Sequence, residues 1–410
     1  MLRILKRLIL LLIAIYALGC LYLYVEQRTF IYHGGNEAPA ADALAGAGYK
    51  KVTYQASDGQ GLWGFYRPSA DPAQPVLLVL HGNTGIKPII DDRAVPLSTL
   101  DAGVFIATYR GFEGNTGEPS EDNLGLDAQA AVDYLGTQGI EPKQIILYGH
   151  SLGTGVAVDE AYKLAAQHAP VDGLILEAPF SSMVSMAAAQ YWFMPTGMLL
   201  KDRFDSINRI ADVKTPVLIL HGDADKTIPQ SQARTLCDKA QLPKTCIWIS
   251  GGGHADLYKF GVLNDVKSFV MLASADDSAL LGHYDQPLTI TLAAGKTVPM
   301  TVELALTPAE QETGMMFRTR LADDQGMLFV FPTLDTKTFW MKNTELPLDI
   351  IFIDTNGKIT HIAHDAQPND ESLIPSGGPV QFVLEIKGGM AARMGIAEGD
   401  IVRSPSLGLH

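Results

Sequence analysis

The chain has 410 residues, of which 47% are hydrophobic and 19% charged, so it exceeds one ordinary domain and has the material for two packed cores. Its formal net charge is −14 and the basic cluster is confined to Arg3, Lys6 and Arg7, which excludes the electrostatic footprint of a nucleic-acid binder. The cysteines, three in all, have no zinc-type spacing, and neither a metal nor another cofactor is expected.

Residues 8–25 carry no charge and are dominated by Leu, Ile, Ala and Tyr. A helix of that length rises about 27 Å, close to the hydrocarbon thickness of a bilayer. The basic residues precede it, so the positive-inside rule leaves the amino end in the cytoplasm and sends the remainder across. The expectation is an uncleaved signal anchor over 1–27. A cleavable signal has a shorter apolar core, and a lipoprotein signal would end at Leu18-Gly19-Cys20; here the run continues through Leu21-Tyr22-Leu23-Tyr24-Val25.

Beyond the anchor, 51–55 and 62–66 flank Asp58-Gly59 and read as a hairpin. Residues 76–80, 104–108, 144–148, 174–176, 217–220 and 246–249 are short apolar runs separated mostly by helical lengths. Such runs are strands covered on both faces, which predicts an α/β domain over about 48–274 with a mainly parallel sheet. Chemistry in such sheets sits at the carboxyl ends of the strands. Four polar loops lie there: His81-Gly82-Asn83-Thr84-Gly85, Gly149-His150-Ser151-Leu152-Gly153, His221-Gly222-Asp223-Ala224-Asp225 and Gly251-Gly252-Gly253-His254.

The second of these follows a strand and opens a helical run at 154–165, the context of a nucleophile elbow with Ser151 at its apex. A serine, then Asp223 or Asp225, then His254 is the triad order of one class of serine hydrolase. Residues 181–213, rich in Met183, Met186, Tyr191, Trp192, Phe193 and Met194, read as a short cap. Ordinary packing and an acyl-chain pocket both account for its apolar content. Cys237 and Cys246 either pair in an oxidising compartment or are two separately buried thiols.

Taken with Gln27-Arg28-Thr29-Phe30-Ile31-Tyr32, Tyr109-Arg110-Gly111-Phe112, Thr116-Gly117-Glu118-Pro119 and Ala178-Pro179-Phe180-Ser181-Ser182, these motifs make residues 20–274 resemble the α/β-hydrolase superfamily. Within it they are similar to the membrane-anchored serine hydrolases that include lysophospholipid lipases, protein depalmitoylases and many bacterial homologues. The resemblance implies Ser151 as nucleophile, His254 as base, Asp225 rather than Asp223 as the acid that orients it, and an oxyanion hole from the main-chain N–H groups of Asn83 and Leu152. His81, His150 and His221 would structure their loops. It also implies an acyl ester or lipid-like substrate, and a single-pass protein of a bacterial inner membrane with its folded domains in the periplasm or exterior. A serine peptidase or amidase is the alternative from the same chemistry, and a non-catalytic envelope-binding protein the alternative from another class. No oligomeric state follows.

Residues 275–284 have the polar mixture of a linker. Over 285–408 short β-prone runs follow at 288–292, 297–304, 326–331, 338–341, 350–354, 358–363 and 381–386. Asn356-Gly357 marks a hairpin, and Thr307-Pro308-Ala309-Glu310 is a capping box that starts one helix. The prediction is a small, mostly β (α+β) domain. Gly314-Met315-Met316-Phe317-Arg318, Gly326-Met327-Leu328-Phe329-Val330-Phe331, Phe339-Trp340-Met341-Lys342-Asn343-Thr344, Pro347-Leu348-Asp349-Ile350 and Gly399-Asp400 resemble the uncharacterised family catalogued as DUF no. 192, which implies no mechanism. Hydrogen bonding within a β core accounts for Arg318, Trp340, Lys342, Asn343 and Asp349 more simply than a binding site does. Core packing likewise accounts for the methionines at 300, 315, 316, 327, 341, 390 and 394.

Overall fold

A computed structural model of the chain describes residues 2–34, 37–241, 243–273, 286–316, 318 and 321–404. It divides into two compact units, Met1–Ser274 and Ala275–His410. The linker expected at 275–284 lies outside the described residues.

The first unit begins with one helix, Leu2–Ile31, long and apolar enough to cross a membrane by length and composition. Eight strands follow: β1 (Lys50–Gln55), β2 (Gly61–Arg67), β3 (Val76–Leu80), β4 (Gly103–Ala107), β5 (Ile145–His150), β6 (Gly173–Glu177), β7 (Val217–Gly222) and β8 (Lys244–Ile249), in the order β1-β2-β4-β3-β5-β6-β7-β8. β1, β2 and β4 pair antiparallel, and from β4 through β8 all pairs are parallel. Every residue of β3, β4, β5, β6 and β7 is buried. Because successive side chains point to opposite faces, Leu78, Leu80, Leu147 and Leu176 enter one core with helices Glu121–Thr137 and Leu152–Ala166. Leu77, Val79, Ile146 and Ile175 enter the other with helix Val262–Ala273.

The cap is built from short helices, Met183–Gln190, Thr196–Leu199 and Ser206–Arg209. It is tied to the N-terminal helix along half that helix's length. Tyr16 Oη donates to Phe193 O at 2.9 Å, Gln27 Nε2 donates to Leu199 O at 3.1 Å and Gln27 Oε1 accepts from Lys201 N at 2.7 Å. Asp202 accepts from both Arg28 Nε and Tyr32 Oη at 3.0 Å. Cys237 and Cys246 form a disulfide between helix Gln230–Lys239 and β8, which settles the choice left open by sequence in favour of pairing. Closing so short a loop stabilises by about 2 to 3 kcal/mol.

The second unit contains β9 (Gln286–Thr291), β10 (Thr297–Ala305), β11 (Gln325–Phe339), β12 (Leu348–Ile353), β13 (Ile359–Ala366), β14 (Ile374–Lys387) and β15 (Ile401–Arg403), in the order β13-β12-β14-β11-β10-β9-β15. β10 and β11 pair parallel and the rest antiparallel. Helix Pro308–Thr313 opens on the expected box: Glu310 N donates to Thr307 Oγ1 at 3.2 Å and Thr307 N to Glu310 Oε2 at 2.8 Å. Two features differ from expectation. The run at 326–331 and the start of the run at 338–341 belong to one strand, β11, which ends at Phe339 and whose pairing with β14 shifts register between Val330 and Asp335 and again between Thr336 and Thr338; those shifts, with Pro332, break the alternation that marks a strand in sequence. β15 is too short to show a period at all. Met300 and Met390 lie in one core and Met315, Met327 and Met341 in the other.

Candidate active site

Ser151 sits between β5 and helix Leu152–Ala166 with φ +52° and ψ −119°, a conformation that costs a non-glycine residue about 1 to 3 kcal/mol and persists only where its surroundings enforce it. They do so here through the main chain. Ser151 N donates to Glu177 O at 3.0 Å, and Thr154 N and Oγ1 donate to Ser151 O at 2.9 and 2.6 Å. The elbow also requires its glycines. A Cβ on Gly149 would stand 2.6 Å from Gly153 O, and one on Gly153 would stand 2.0 Å from Leu80 O.

His254, on the loop after β8, reaches both other residues. Its Nε2 lies 2.9 Å from Ser151 Oγ and its Nδ1 2.7 Å from Asp225 Oδ2. Asp225 Oδ1 accepts from Thr227 N at 2.7 Å and Ile228 N at 2.9 Å. Burial disfavours this carboxylate, but the hydrogen bonds from His254, Ile228 and Thr227 outweigh burial and hold Asp225 below the usual carboxylate range. Asp223, two residues earlier, accepts from Gly251 N at 2.7 Å and fastens the loop that carries His254. The loop after β3 lies directly against the serine, since a Cβ on Gly82 would come within 3.2 Å of Ser151 Cβ. Asn83 O accepts from His33 N at 2.9 Å. Leu152 is the first residue of its helix, so its N–H has no acceptor within that helix.

His81, His150 and His221 are all buried. Burial pushes His81 and His150 down to about 4, and burial also lowers His221, whose Nε2 lies 2.9 Å from Ile228 O. In the second unit, Arg318 Nη2 bonds Glu303 at 2.8 Å, and Asp349 accepts from the N–H groups of Asp365, Gly389 and Ala391. Among the described residues, no group of three or more His, Cys, Asp or Glu could hold a metal ion.

Sequence reading missed the support behind the serine. Arg93 is fully buried and grips Glu177 with two bonds, Nε to Oε2 at 2.9 Å and Nη2 to Oε1 at 2.6 Å. Arg93 Nη2 also donates to Ala255 O at 3.2 Å, beside His254, and Tyr148 Oη donates to Glu177 Oε2. Burial alone would raise Glu177, but the Arg93 charge and these hydrogen bonds bring it down to about 2. Its main-chain oxygen meanwhile holds the elbow. The only signal in the sequence is an acidic residue ending an apolar strand.

Residues 76–206 match the family described as "Alpha/beta hydrolase family" and residues 289–404 the family described as "Uncharacterized ACR". "Uncharacterized protein Rv2307c" of Mycobacterium tuberculosis is 36% identical over 248 residues, 60% of this chain and 86% of that one. "Alpha/beta hydrolase domain-containing protein 17B" of Homo sapiens is 33% identical over 205 residues, 48% of this chain and 67% of that one. "Lysophosphatidylserine lipase ABHD12" of Danio rerio is 34% identical over 198 residues, 44% of this chain and 51% of that one. The chain belongs to the α/β-hydrolase family. It joins a hydrolase fold, preceded by an apolar helix, to a separate and mostly β second unit.

Proposed function

We propose that the protein is a membrane-anchored serine hydrolase of the bacterial inner membrane that cleaves acyl esters or thioesters through an acyl-enzyme on Ser151. The observation that carries this reading is His254 bridging Ser151 Oγ at 2.9 Å and Asp225 Oδ2 at 2.7 Å. A serine hydroxyl is a poor nucleophile until a base removes its proton. His254 Nε2 takes that proton as Oγ attacks the acyl carbonyl, and Asp225 stabilises the resulting imidazolium without accepting the proton. The N–H groups of Asn83 and Leu152 receive the developing oxyanion, an interaction worth several kcal/mol. His254 then protonates the leaving alcohol or thiol, and water repeats the sequence to release the acid.

The anchor and the substrate class are supported by the cap. Tyr16, Gln27, Arg28 and Tyr32 all bond cap residues or Asp202, so the helix is part of the hydrolase unit, as expected of an uncleaved anchor. With residues 8–25 in the bilayer and Arg3, Lys6 and Arg7 on the cytoplasmic side, the folded units face the periplasm. Trp192 and Met198 of the cap are 83% and 85% exposed to solvent, and their neighbour Phe193 is held at the level of Tyr16, inside the apolar stretch. Lys201 and Arg28 follow at its outer end, where basic residues mark a membrane interface. Between helix and cap runs a groove lined by Leu23, Phe30, Ile31, Met183, Met194 and Leu199. Two residues past the end of the helix at Ile31, His33 N donates to Asn83 O, on the loop that lies against Ser151. The apolar lining of the groove suits an acyl chain drawn from the bilayer, and ABHD12, by its name, acts on a lysophospholipid.

The test is turnover by the detergent-solubilised chain of long-chain and short-chain acyl esters, acyl thioesters, a lysophospholipid and an unrelated peptide series. Long-chain esters or thioesters should turn over fastest, and Ser151→Ala should lower kcat by at least about 10³-fold. Peptide cleavage outpacing ester cleavage would replace this reading with the peptidase alternative.

A further inference from the structure

The second unit contains a pocket whose lining includes Glu385, Phe329, Phe331, Phe339, Trp340 and Lys337. Glu385 lies on β14, opposite Met327 of β11 and Ile350 of β12. It is 4% exposed, and its Oε2 has no hydrogen-bond partner. A buried polar atom left unsatisfied destabilises the fold, and any apolar residue at this position would remove that cost. The chain also bends to keep the pocket open at this point. Gly314 has φ +50°, and a Cβ there would stand 3.1 Å from the Phe329 ring and 3.8 Å from Glu385 Oε2.

The walls define what the carboxyl meets. Phe339 packs edge-to-face with Phe329 at 5.1 Å and with Phe331 at 6.5 Å between centroids. Aromatic faces carry negative potential and attract cations. Two of these rings already hold one: Lys337 Nζ lies 4.5 Å from the centre of Phe331, and Lys342 Nζ 5.5 Å from that of Trp340. An anion pushed toward Glu385 would face those rings. A cation would find both the rings and a carboxyl oxygen free to bond it, while Lys337 provides a positive charge for an acidic group on the same molecule.

We propose that this pocket binds a small amine of the amino-acid type, with its ammonium on Glu385 and the aromatic walls and its acidic group toward Lys337. Burial, only partly offset by a hydrogen bond from the Met315 main chain, pushes Glu385 up to about 8, so the empty pocket holds the neutral acid at pH 7. Seating an ammonium ionises Glu385, and its proton leaves to solvent. Among the described residues that line the pocket, the other charged groups are Glu312 on helix Pro308–Thr313 and Lys337 on β11.

Isothermal titration of the full chain with β-alanine, ethylammonium and propionate, at pH 7 and equal ionic strength, tests this directly. β-Alanine should bind tightest and ethylammonium more weakly, with propionate no better than chloride. Titration in buffers of different ionisation enthalpy should show close to one proton released per β-alanine bound, and Glu385→Gln should weaken β-alanine at least tenfold. Propionate binding as well as β-alanine, no binding of either amine, or unaltered binding by Glu385→Gln would each overturn the assignment. Should that variant not fold, the proton count on the unsubstituted chain decides, and zero release or proton uptake overturns it equally.

Discussion

Two aspartates on one turn, Asp223 and Asp225, have different partners, and the difference is chemical. Asp225 accepts from His254 and from two main-chain N–H groups, whereas Asp223 accepts from Gly251 N. Removing the charge of Asp225 while keeping its shape should leave His254 in the wrong tautomer. Asp225→Asn is therefore expected to lower kcat on a soluble ester by about 10³- to 10⁴-fold, with Asp223→Asn within about tenfold of the parent. Equal losses in the two variants would show that both act through the loop. The serine, the histidine and the two aspartates were candidates in the sequence because each lies in a polar loop that follows an apolar strand. The choice of Asp225 over Asp223 came from the family resemblance and not from residue type or spacing, since it depends on which carboxylate faces a histidine 29 positions away.

At the scale of elements, the elbow between β5 and its helix is braced from β6 and from the segment between β3 and β4. Glu177 joins them: its main chain holds Ser151 and its side chain grips Arg93, which also holds Ala255. Nothing local in the sequence announces a pair 84 residues apart. Glu177 is at about 2 when folded, below its ordinary 4.5. The pair's contribution is thus full above about pH 4.5 and is lost as pH falls through 2, an effect of about 3 kcal/mol. Arg93→Ala strands a buried carboxylate and should cost about 3 to 5 kcal/mol at pH 7. Thermal unfolding of parent and variant should show a gap in Tm that narrows as pH is lowered toward 3, because protonation relieves the stranded charge. A gap independent of pH would mean that Arg93 acts by packing alone.

At the scale of the whole molecule, the alternation of apolar strands and helices, the apolar N-terminal helix and the change to β-prone runs after residue 285 were all legible, since each rests on periodicity or composition over many residues. Features made by elements distant in sequence were not: the bent β11, the short β15, the groove between the N-terminal helix and the cap, and the pocket over Glu385. If Ser151 is an activated nucleophile it reacts with a fluorophosphonate, which mass spectrometry of the full chain after exposure to that reagent detects. One adduct per chain is expected, mapped to the peptide containing Ser151 and missing from Ser151→Ala. An unlabelled parent protein, or an adduct that persists in Ser151→Ala, would contradict it.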